Sequence, residues 1–176
     1  RALPESDVQI RVLPEAWAEI ECERSRFKMA GLPAEDFPTL AEASRAKGIE
    51  IPAEVLRGLI ARTAFAITAE DARYYLAGAL LLLDPEGAAM EATDGHRLSY
   101  ARSNASLGVK EPQRVLVPRK AIGELQRLLE GEESATFQQV DNHLVFTVGG
   151  RVLASKRIEA EFPAFEKVIA VTGDKV

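Results

Sequence analysis

Apolar and polar residues alternate along three short segments near the beginning of the sequence, namely residues 8–12, 17–22 and 27–32. A period of two places successive side chains on opposite faces of a strand, so these segments predict a meander of three strands. Turns are indicated at Pro14-Glu15 and at residues 23–25, and the segment 32–38 has room for one helical turn. Residues 41–48 are polar and poor in large apolar side chains, which predicts a linker at a domain boundary.

After Ile51 the apolar period changes to that of a helix. Residues 53–66 have one apolar face, which predicts a helix there, and Pro52 suits its first turn. A second amphipathic helix is predicted after Pro118. The apolar faces are formed by Val55, Leu56, Leu59, Ile60, Thr63 and Ile67 in the first helix and by Ile122, Leu125, Leu128 and Leu129 in the second.

Further strands are predicted around these two helices. The segments that are continuously apolar or alternate in polarity are residues 74–83, 88–100, 115–117, 135–140, 144–148 and 151–158. The first two are separated by a turn at residues 84–87, and Asp141-Asn142 joins two others into a hairpin. The order is therefore helix, strands, helix, strands.

The chain contains two internal repeats. Ile51-Pro52, followed by an amphipathic helix and strands, resembles Val117-Pro118, which is followed by the same order of elements. Residues 26–40 also match residues 151–165 at an offset of 125, with an arginine and a Phe-Pro pair in register. The repeats predict the tail of one domain at residues 1–44, a complete second domain at 45–169, and the beginning of a link into a third at 170–176.

Composition narrows the class of protein without identifying its function. The 47% apolar and 28% charged content is ordinary for a soluble globular protein, and no apolar run approaches the roughly 18 residues of a membrane helix. Cys22 is the only cysteine, so we expect a buried thiol and no internal disulfide. With His96 and His143 it does not make a zinc-ligand cluster, and we expect no metal or cofactor. The net charge of −5 leaves room for one basic face.

Five segments in a fixed order resemble the bacterial DNA sliding clamps, the ring-shaped beta subunits of the replicative polymerase. Four of them are similar to the middle clamp domain, namely residues 71–78 (DARYYLAG), 92–98 (ATDGHRL), 117–122 (VPRKAI) and Phe162-Pro163. The fifth, residues 25–27 with 32–38, is similar to the end of the first domain. The resemblance implies an α+β protein with the DNA clamp fold, in which a helix and antiparallel-sheet motif is duplicated and the helices lie on one face of the sheets. It also implies three such domains per chain and a homodimeric ring around duplex DNA.

The resemblance further implies a function without catalysis. A cytoplasmic, nucleoid-associated clamp tethers the replicative polymerase and repair proteins to the template, and it also binds the clamp loader. These partners insert short linear peptides, with a glutamine and two large apolar side chains, into an apolar pocket with a few polar anchors. The peptide-binding residues implied are Arg73, Tyr75, Leu76, Thr93, Gly95, His96, Arg97, Leu98, Pro163, Lys167 and Val168. Core packing is the alternative role for Leu76, Leu98 and Val168.

A basic helix face is the candidate surface for DNA. The helical period places Lys120, Gly123 and Arg127 opposite the leucine face of the second helix, and Arg57 near the exposed side of the first. The candidate DNA-binding residues are Tyr74, Tyr75, Arg119, Lys120 and Arg127, and the resemblance implies the two tyrosines. Phosphate contacts without base contacts suit a ring that slides. The alternative is an ordinary solvated face.

Two other interpretations are open, and the first concerns Asp94 and His96. Together they could serve as a general acid and base in a hydrolase or transferase. However, Asp94-Gly95 between alternating strands is typical of a tight turn, and no activated Ser or Cys nucleophile is evident nearby. The remaining alternative is a peptide-binding module that never contacts DNA, against which the basic helix face argues.

Overall fold

The computed structural model describes residues 5–37, 48–69 and 71–164. The chain divides into two compact units, Arg1–Leu40 and Ala41–Val176. Most of the predicted linker, residues 41–47, lies outside the described residues. In the described part of the chain, no helix is long and apolar enough to cross a membrane.

The first unit contains the predicted meander of three strands. Strands β1 (Gln9–Val12), β2 (Trp17–Cys22) and β3 (Ser25–Ala30) form an antiparallel sheet in the order β1-β2-β3. The predicted helical turn is present as a 3₁₀ helix at Ala34–Asp36. Cys22 is 1% exposed, which confirms the expected buried thiol.

The second unit contains both predicted helices, α1 (Ala53–Thr63) and α2 (Arg119–Leu128). Its described strands are β4 (Ile49–Pro52), β5 (Gly78–Asp84), β6 (Gly87–Thr93), β7 (Leu98–Ser103), β8 (Gln113–Pro118), β9 (Ser134–Val140), β10 (His143–Val148) and β11 (Arg151–Lys156). They form two antiparallel sheets, in the orders β7-β6-β5-β8 and β11-β10-β9-β4. A short 3₁₀ helix lies at Ala64–Ala66, and residues Asp71–Leu76 form two 3₁₀ turns with a kink at Arg73.

The duplication predicted from the sequence is confirmed by matched hydrogen bonds at the beginnings of the two helices. In α1 the Ala53 N–H donates to the carbonyl of Glu133, just before β9, at 2.8 Å. In α2 the Arg119 N–H donates to the carbonyl of Ala77, just before β5, at 2.9 Å. Each half of the motif thus supplies the strand that pairs with the other half, β9 with β4 and β5 with β8.

One apolar core joins the helices to the inward faces of both sheets. Its largest fully buried side chains are Ile51, Leu56, Leu59, Ile60, Leu81, Leu83, Met90, Ile122, Leu125, Leu129, Phe137 and Phe146. Burying a leucine or phenylalanine side chain contributes about 1.5–3 kcal/mol each, so this core is the main source of stability in the unit. The apolar stripes predicted for both helices therefore face the core.

Two predicted strands differ from the structure, and one strand of the structure has no counterpart in the prediction. The strand predicted at 74–83 is wrong in its first part, because residues Asp71–Leu76 form two short 3₁₀ turns interrupted at Arg73, which has a non-helical φ of −113° and ψ of 58°. The second turn is closed by a bond from the Ala77 N–H to the Tyr74 carbonyl at 3.1 Å. The segment 88–100 is two strands, β6 and β7, with a turn between them. Strand β4 was not predicted, since four residues are too few to display an alternation.

The register of the second repeat also differs from the sequence match. Hairpin β2-β3 and hairpin β10-β11 have the same strand lengths and the same two-residue turn, at an offset of 126 and not 125. In this register Ile20 and Phe27 of the first unit correspond to Phe146 and Leu153, which face the core of the second. The Phe-Pro pairs keep the offset of 125, so one residue is gained or lost after the hairpin.

Candidate functional site

The turn between β6 and β7 is organised by the side chain of Asp94. Its Oδ1 accepts hydrogen bonds from the backbone N–H groups of His96 and Arg97, each at 3.0 Å. Gly95 has a φ of +88°, which an L-residue rarely adopts. Thr93 Oγ1 donates to the Arg97 carbonyl at 2.7 Å and accepts from the Gly95 N–H at 3.1 Å. The tight turn predicted from Asp94-Gly95 is confirmed.

Arg97 fastens this turn to the segment that follows α1. Its Nε donates to Asp94 Oδ2 at 3.0 Å, and its Nη2 donates to the carbonyl of Phe65 at 2.8 Å. The guanidinium carbon also lies 5.4 Å from the centroid of the Phe65 ring, within the range of a cation–π contact. Three separate contacts therefore hold the guanidinium in one place.

A pocket of about 370 Å³ opens beside the turn, and we call it the Arg97 pocket. It is lined by Phe65, Ile67, Thr68, Ala69, Arg73, Asp94, His96, Arg97 and Arg119. Of the predicted peptide-binding residues, Arg73, His96 and Arg97 share this pocket. It combines an apolar wall at Phe65 and Ile67 with several cationic side chains, an arrangement that suits a ligand with both apolar and polar groups.

The other predicted peptide-binding residues do not line the Arg97 pocket within the described part of the chain. Leu76 and Thr93 are 3% and 7% exposed. Tyr75, Leu98 and Pro163 range from half-buried to exposed. A Cβ added at Gly95 would lie 2.6 Å from Arg73 Nη1, so this glycine leaves space for the Arg73 guanidinium. Lys167 and Val168 lie outside the described residues.

The electrostatics of the turn do not favour an acid–base pair. The backbone N–H groups of His96 and Arg97, followed by the charge of Arg97, hold the pKa of Asp94 below its ordinary value. The contact of Asp94 with His96 is through the backbone N–H of the histidine, and Oδ2 is bonded to Arg97. The carboxylate is therefore the cap of a turn. Among the described residues, no group of three or more His, Cys, Asp or Glu side chains could hold a metal ion.

A second and larger cavity, which we call the α2 groove, runs along the exposed face of α2. Its volume is about 1150 Å³. Four predicted DNA-binding residues line it, namely Tyr74, Arg119, Lys120 and Arg127, whereas Tyr75 does not. Tyr74 is 61% exposed and meets Tyr75 edge-on, with ring centroids 6.0 Å apart. The groove therefore brings most of the candidate DNA surface together.

Sequence reasoning missed part of the α2 groove. Lys156 and Arg157, at the end of β11, add two cations, while Glu124 and Glu159 add two carboxylates. Arg127 is paired with Glu124 at 2.8 Å. Cationic side chains still outnumber carboxylates among the described lining residues, as a surface for phosphates requires. The end of β11 comes next to α2 only through tertiary packing, which no local sequence pattern shows.

The two cavities are neighbours. Thr68, Ala69 and Arg119 line both the Arg97 pocket and the α2 groove.

Arg57 is not among the residues that line these two cavities. Its Nη1 donates a hydrogen bond to the carbonyl of Leu129 at 2.7 Å. The helical period placed Arg57 near the exposed side of α1, but its guanidinium serves the end of α2.

Comparisons with known proteins agree on one family. Residues 50–164 match the family described as DNA polymerase III beta subunit, central domain. The beta sliding clamp of Pseudomonas aeruginosa is 39% identical over 160 residues, which are 89% of this chain and 43% of that relative. The beta sliding clamp of Escherichia coli K12 is 33% identical over 178 residues, which are 99% of this chain and 48% of that relative.

Solved structures give the same result. The crystal structure of the DNA polymerase III subunit beta from Pseudomonas aeruginosa matches with a TM-score of 0.82 at 37% identity, over 98% of this chain and 48% of that one. The DNA polymerase sliding clamp from Bacillus subtilis matches with a TM-score of 0.82 at 24% identity, over 97% of this chain and 45% of that one. At this identity the match shows the fold alone. The chain thus spans less than half of each of these relatives. These likenesses confirm the predicted DNA clamp fold, and the chain belongs to the DNA polymerase III beta subunit family.

Proposed function

We propose that the protein is a DNA sliding clamp, a non-catalytic processivity factor that encircles duplex DNA and tethers the replicative polymerase to it. The observation that carries the proposal is the family match over residues 50–164, together with relatives named beta sliding clamp. Tethering raises the effective concentration of a partner at the template and requires no bond-making chemistry. The cap role of Asp94 is consistent with a site that binds and does not catalyse.

The proposal includes a domain assignment. Residues 1–44 are the C-terminal part of one clamp domain with its linker, 45–169 are the next domain, and 170–176 begin the link into a third. The equivalent hairpins β2-β3 and β10-β11 support this division, as does the length of the relatives. The working form is a homodimeric ring in the cytoplasm, associated with the nucleoid.

The α2 groove is the proposed DNA surface. Tyr74, Arg119, Lys120 and Arg127 contact the duplex, with Tyr75 behind Tyr74. Lysine and arginine side chains on an exposed helix face bind phosphates without reading bases. Such contacts are sensitive to salt and independent of sequence, so they hold the ring near the duplex and still allow it to slide.

The Arg97 pocket, extended by the neighbouring predicted residues, is the proposed peptide site. Partners such as the polymerase, the clamp loader and repair proteins insert a short segment containing a glutamine and two large apolar side chains. Ile67 supplies an apolar wall, while Arg73 and His96 supply polar groups. The rest of the proposed set is Tyr75, Leu76, Thr93, Gly95, Arg97, Leu98, Pro163, Lys167 and Val168.

The first test is the binding of a fluorescent peptide with a glutamine and a Leu-Phe pair to the intact protein. We expect micromolar affinity, which Arg73→Ala and His96→Ala each reduce by about tenfold, because each removes one polar anchor from a small site. The matched control is Val152→Ala, since Val152 is 50% exposed on β11 and lines neither cavity. Unchanged affinity in both pocket variants would remove the peptide site from this location.

A further inference from the structure

Phe65 is an exposed aromatic residue at the mouth of the Arg97 pocket. It lies in the 3₁₀ helix Ala64–Ala66 that follows α1, and 58% of its surface is exposed. Exposed phenylalanine rings at the rim of a small pocket are typical contact points for partners, because aromatic anchors contribute much of the energy of binding. The resemblance to sliding clamps did not assign a role to this residue.

Arg97 contacts both the backbone and the side chain of Phe65. The Phe65 carbonyl accepts a hydrogen bond from Arg97 Nη2 at 2.8 Å, and the Arg97 guanidinium lies 5.4 Å from the centroid of the Phe65 ring. The segment is closed by a bond from the Ile67 N–H to the Ala64 carbonyl at 3.2 Å. A ring held in this way loses little conformational freedom on binding, which lowers the entropic cost of a contact.

We infer that Phe65 is a further recognition residue of this pocket, and that it contacts a large apolar side chain of the bound peptide. This inference rests on the proposed peptide-binding function. The pocket of about 370 Å³ is at the small end for ligand sites, a size that suits individual side chains of a peptide. Ile67 continues the apolar wall inward from Phe65, while Arg73, His96 and Arg97 form its polar side.

A purely structural role of Phe65 predicts a different pattern of peptide affinities from a direct contact. If Phe65 acted only by holding Arg97 in place, its loss would weaken every peptide that enters the pocket by the same factor. A direct contact instead couples Phe65 to one side chain of the peptide, so the loss depends on whether that side chain is present. The coupling energy between Phe65 and one peptide side chain therefore distinguishes the two roles. The affinity for the parent peptide alone does not distinguish them.

The test is a double-mutant cycle on the intact protein with three labelled peptides. The parent peptide has a glutamine and a Leu-Phe pair, and the others carry Ala in place of either the Leu or the Phe. We expect Phe65→Ala to weaken the parent peptide by about threefold to tenfold, the range of aromatic pair contacts. The loss should disappear with one of the two Ala-containing peptides, and Phe65→Leu should restore most of the affinity for the parent.

The outcomes are distinguishable. An equal loss with all three peptides, or no loss with the parent, would overturn the inference and leave the peptide site intact. Failure of the unmodified protein to bind the parent peptide would overturn the proposed peptide site, and the inference with it. The melting temperature of Phe65→Ala should match that of the unmodified protein, because most of the side chain is already in solvent.

Discussion

Arg57 on α1 donates a hydrogen bond from Nη1 to the carbonyl of Leu129, at the end of α2, at 2.7 Å. The bond joins the two halves of the duplicated motif. Arg151 completes the arrangement, since its Nη2 donates to the carbonyl of Leu128 at 2.9 Å. Two cations thus satisfy terminal carbonyls of α2 and complement the negative end of its dipole.

The Arg57→Ala substitution should therefore lower the free energy of unfolding of this unit by about 1–2 kcal/mol, because it leaves a partly buried carbonyl without its charged donor. Urea denaturation followed by circular dichroism measures the change. Arg62→Ala is the matched control on the same helix, because Arg62 is exposed and its Nε donates to the carbonyl of Gly58 within α1. Equal stability of the two variants would contradict the capping role.

Arg57 also shows what the sequence could and could not predict. The period of apolar residues located both helices and their core faces, because burial in a helix follows local spacing. The partner of Arg57 is 72 residues away, and no local pattern indicates that distance. Phe65 was missed for the same reason, since its contact with Arg97 joins two residues that are 32 positions apart in the sequence.

The errors in secondary structure have a related cause. Tyr74 and Tyr75 favour a strand by intrinsic propensity, but the Thr68 N–H donates to the carbonyl of Leu76 and a tight 3₁₀ segment results. Tertiary hydrogen bonds overrode propensity at this position. The site residues on this segment were consequently named by resemblance alone, and their geometry could not have been predicted.

Lys120 and Arg127 should contribute unequally to DNA binding. Both line the α2 groove, but Arg127 is already paired with Glu124 at 2.8 Å. We expect Lys120→Ala to reduce the slope of log K against log salt by about 0.9, the value for one phosphate contact, and Arg127→Ala to reduce it by less. The measurement is binding of the intact protein to a short duplex over a range of salt concentrations.

Lys110→Ala is the control for this experiment, because Lys110 is exposed and does not line the α2 groove. It loses the same charge at a different place. If Lys110→Ala changed the slope as much as Lys120→Ala, the net charge of the protein would account for binding and the groove would not.

The ion pair of Asp84 and Arg102 should make stability depend on pH in the acid range. Arg102 donates to both carboxylate oxygens, at 2.9 and 3.0 Å, and this hydrogen bonding is the main cause of a lowered pKa of Asp84. A carboxyl group whose pKa is lowered in the folded state stabilises the protein at pH values above the ordinary pKa of that group. The contribution is lost as pH falls below about 4 and passes through the lowered value.

Arg102→Ala removes this ion pair together with the contact of Arg102 Nη2 with the exposed Glu86 carboxylate at 3.3 Å. Because the Asp84 and Arg102 side chains are both about one-quarter exposed, we expect a difference in unfolding free energy of at most about 1 kcal/mol at pH 7. The difference should shrink as pH is lowered from 5 through the lowered pKa of Asp84, which denaturation curves at several pH values would measure. A difference that stays constant or grows in acid would mean that packing of the Arg102 stem, and not the ion pair, stabilises the hairpin.

Gly95 should be the least replaceable glycine of the candidate site. Its φ of +88° strains any L-residue, and an added Cβ would lie 2.6 Å from Arg73 Nη1. Gly95→Ala should cost about 1–2 kcal/mol of stability and weaken the Leu-Phe peptide, because it displaces the Arg73 guanidinium. Gly123→Ala is the matched control, because nothing lies within 4 Å of its added Cβ. Gly123 is on the exposed face in the middle of α2, so this substitution should stabilise the helix by about 0.5–1 kcal/mol. Peptide affinity should fall only in the first variant. An equal fall in Gly123→Ala would contradict the role of the space that Gly95 leaves for Arg73.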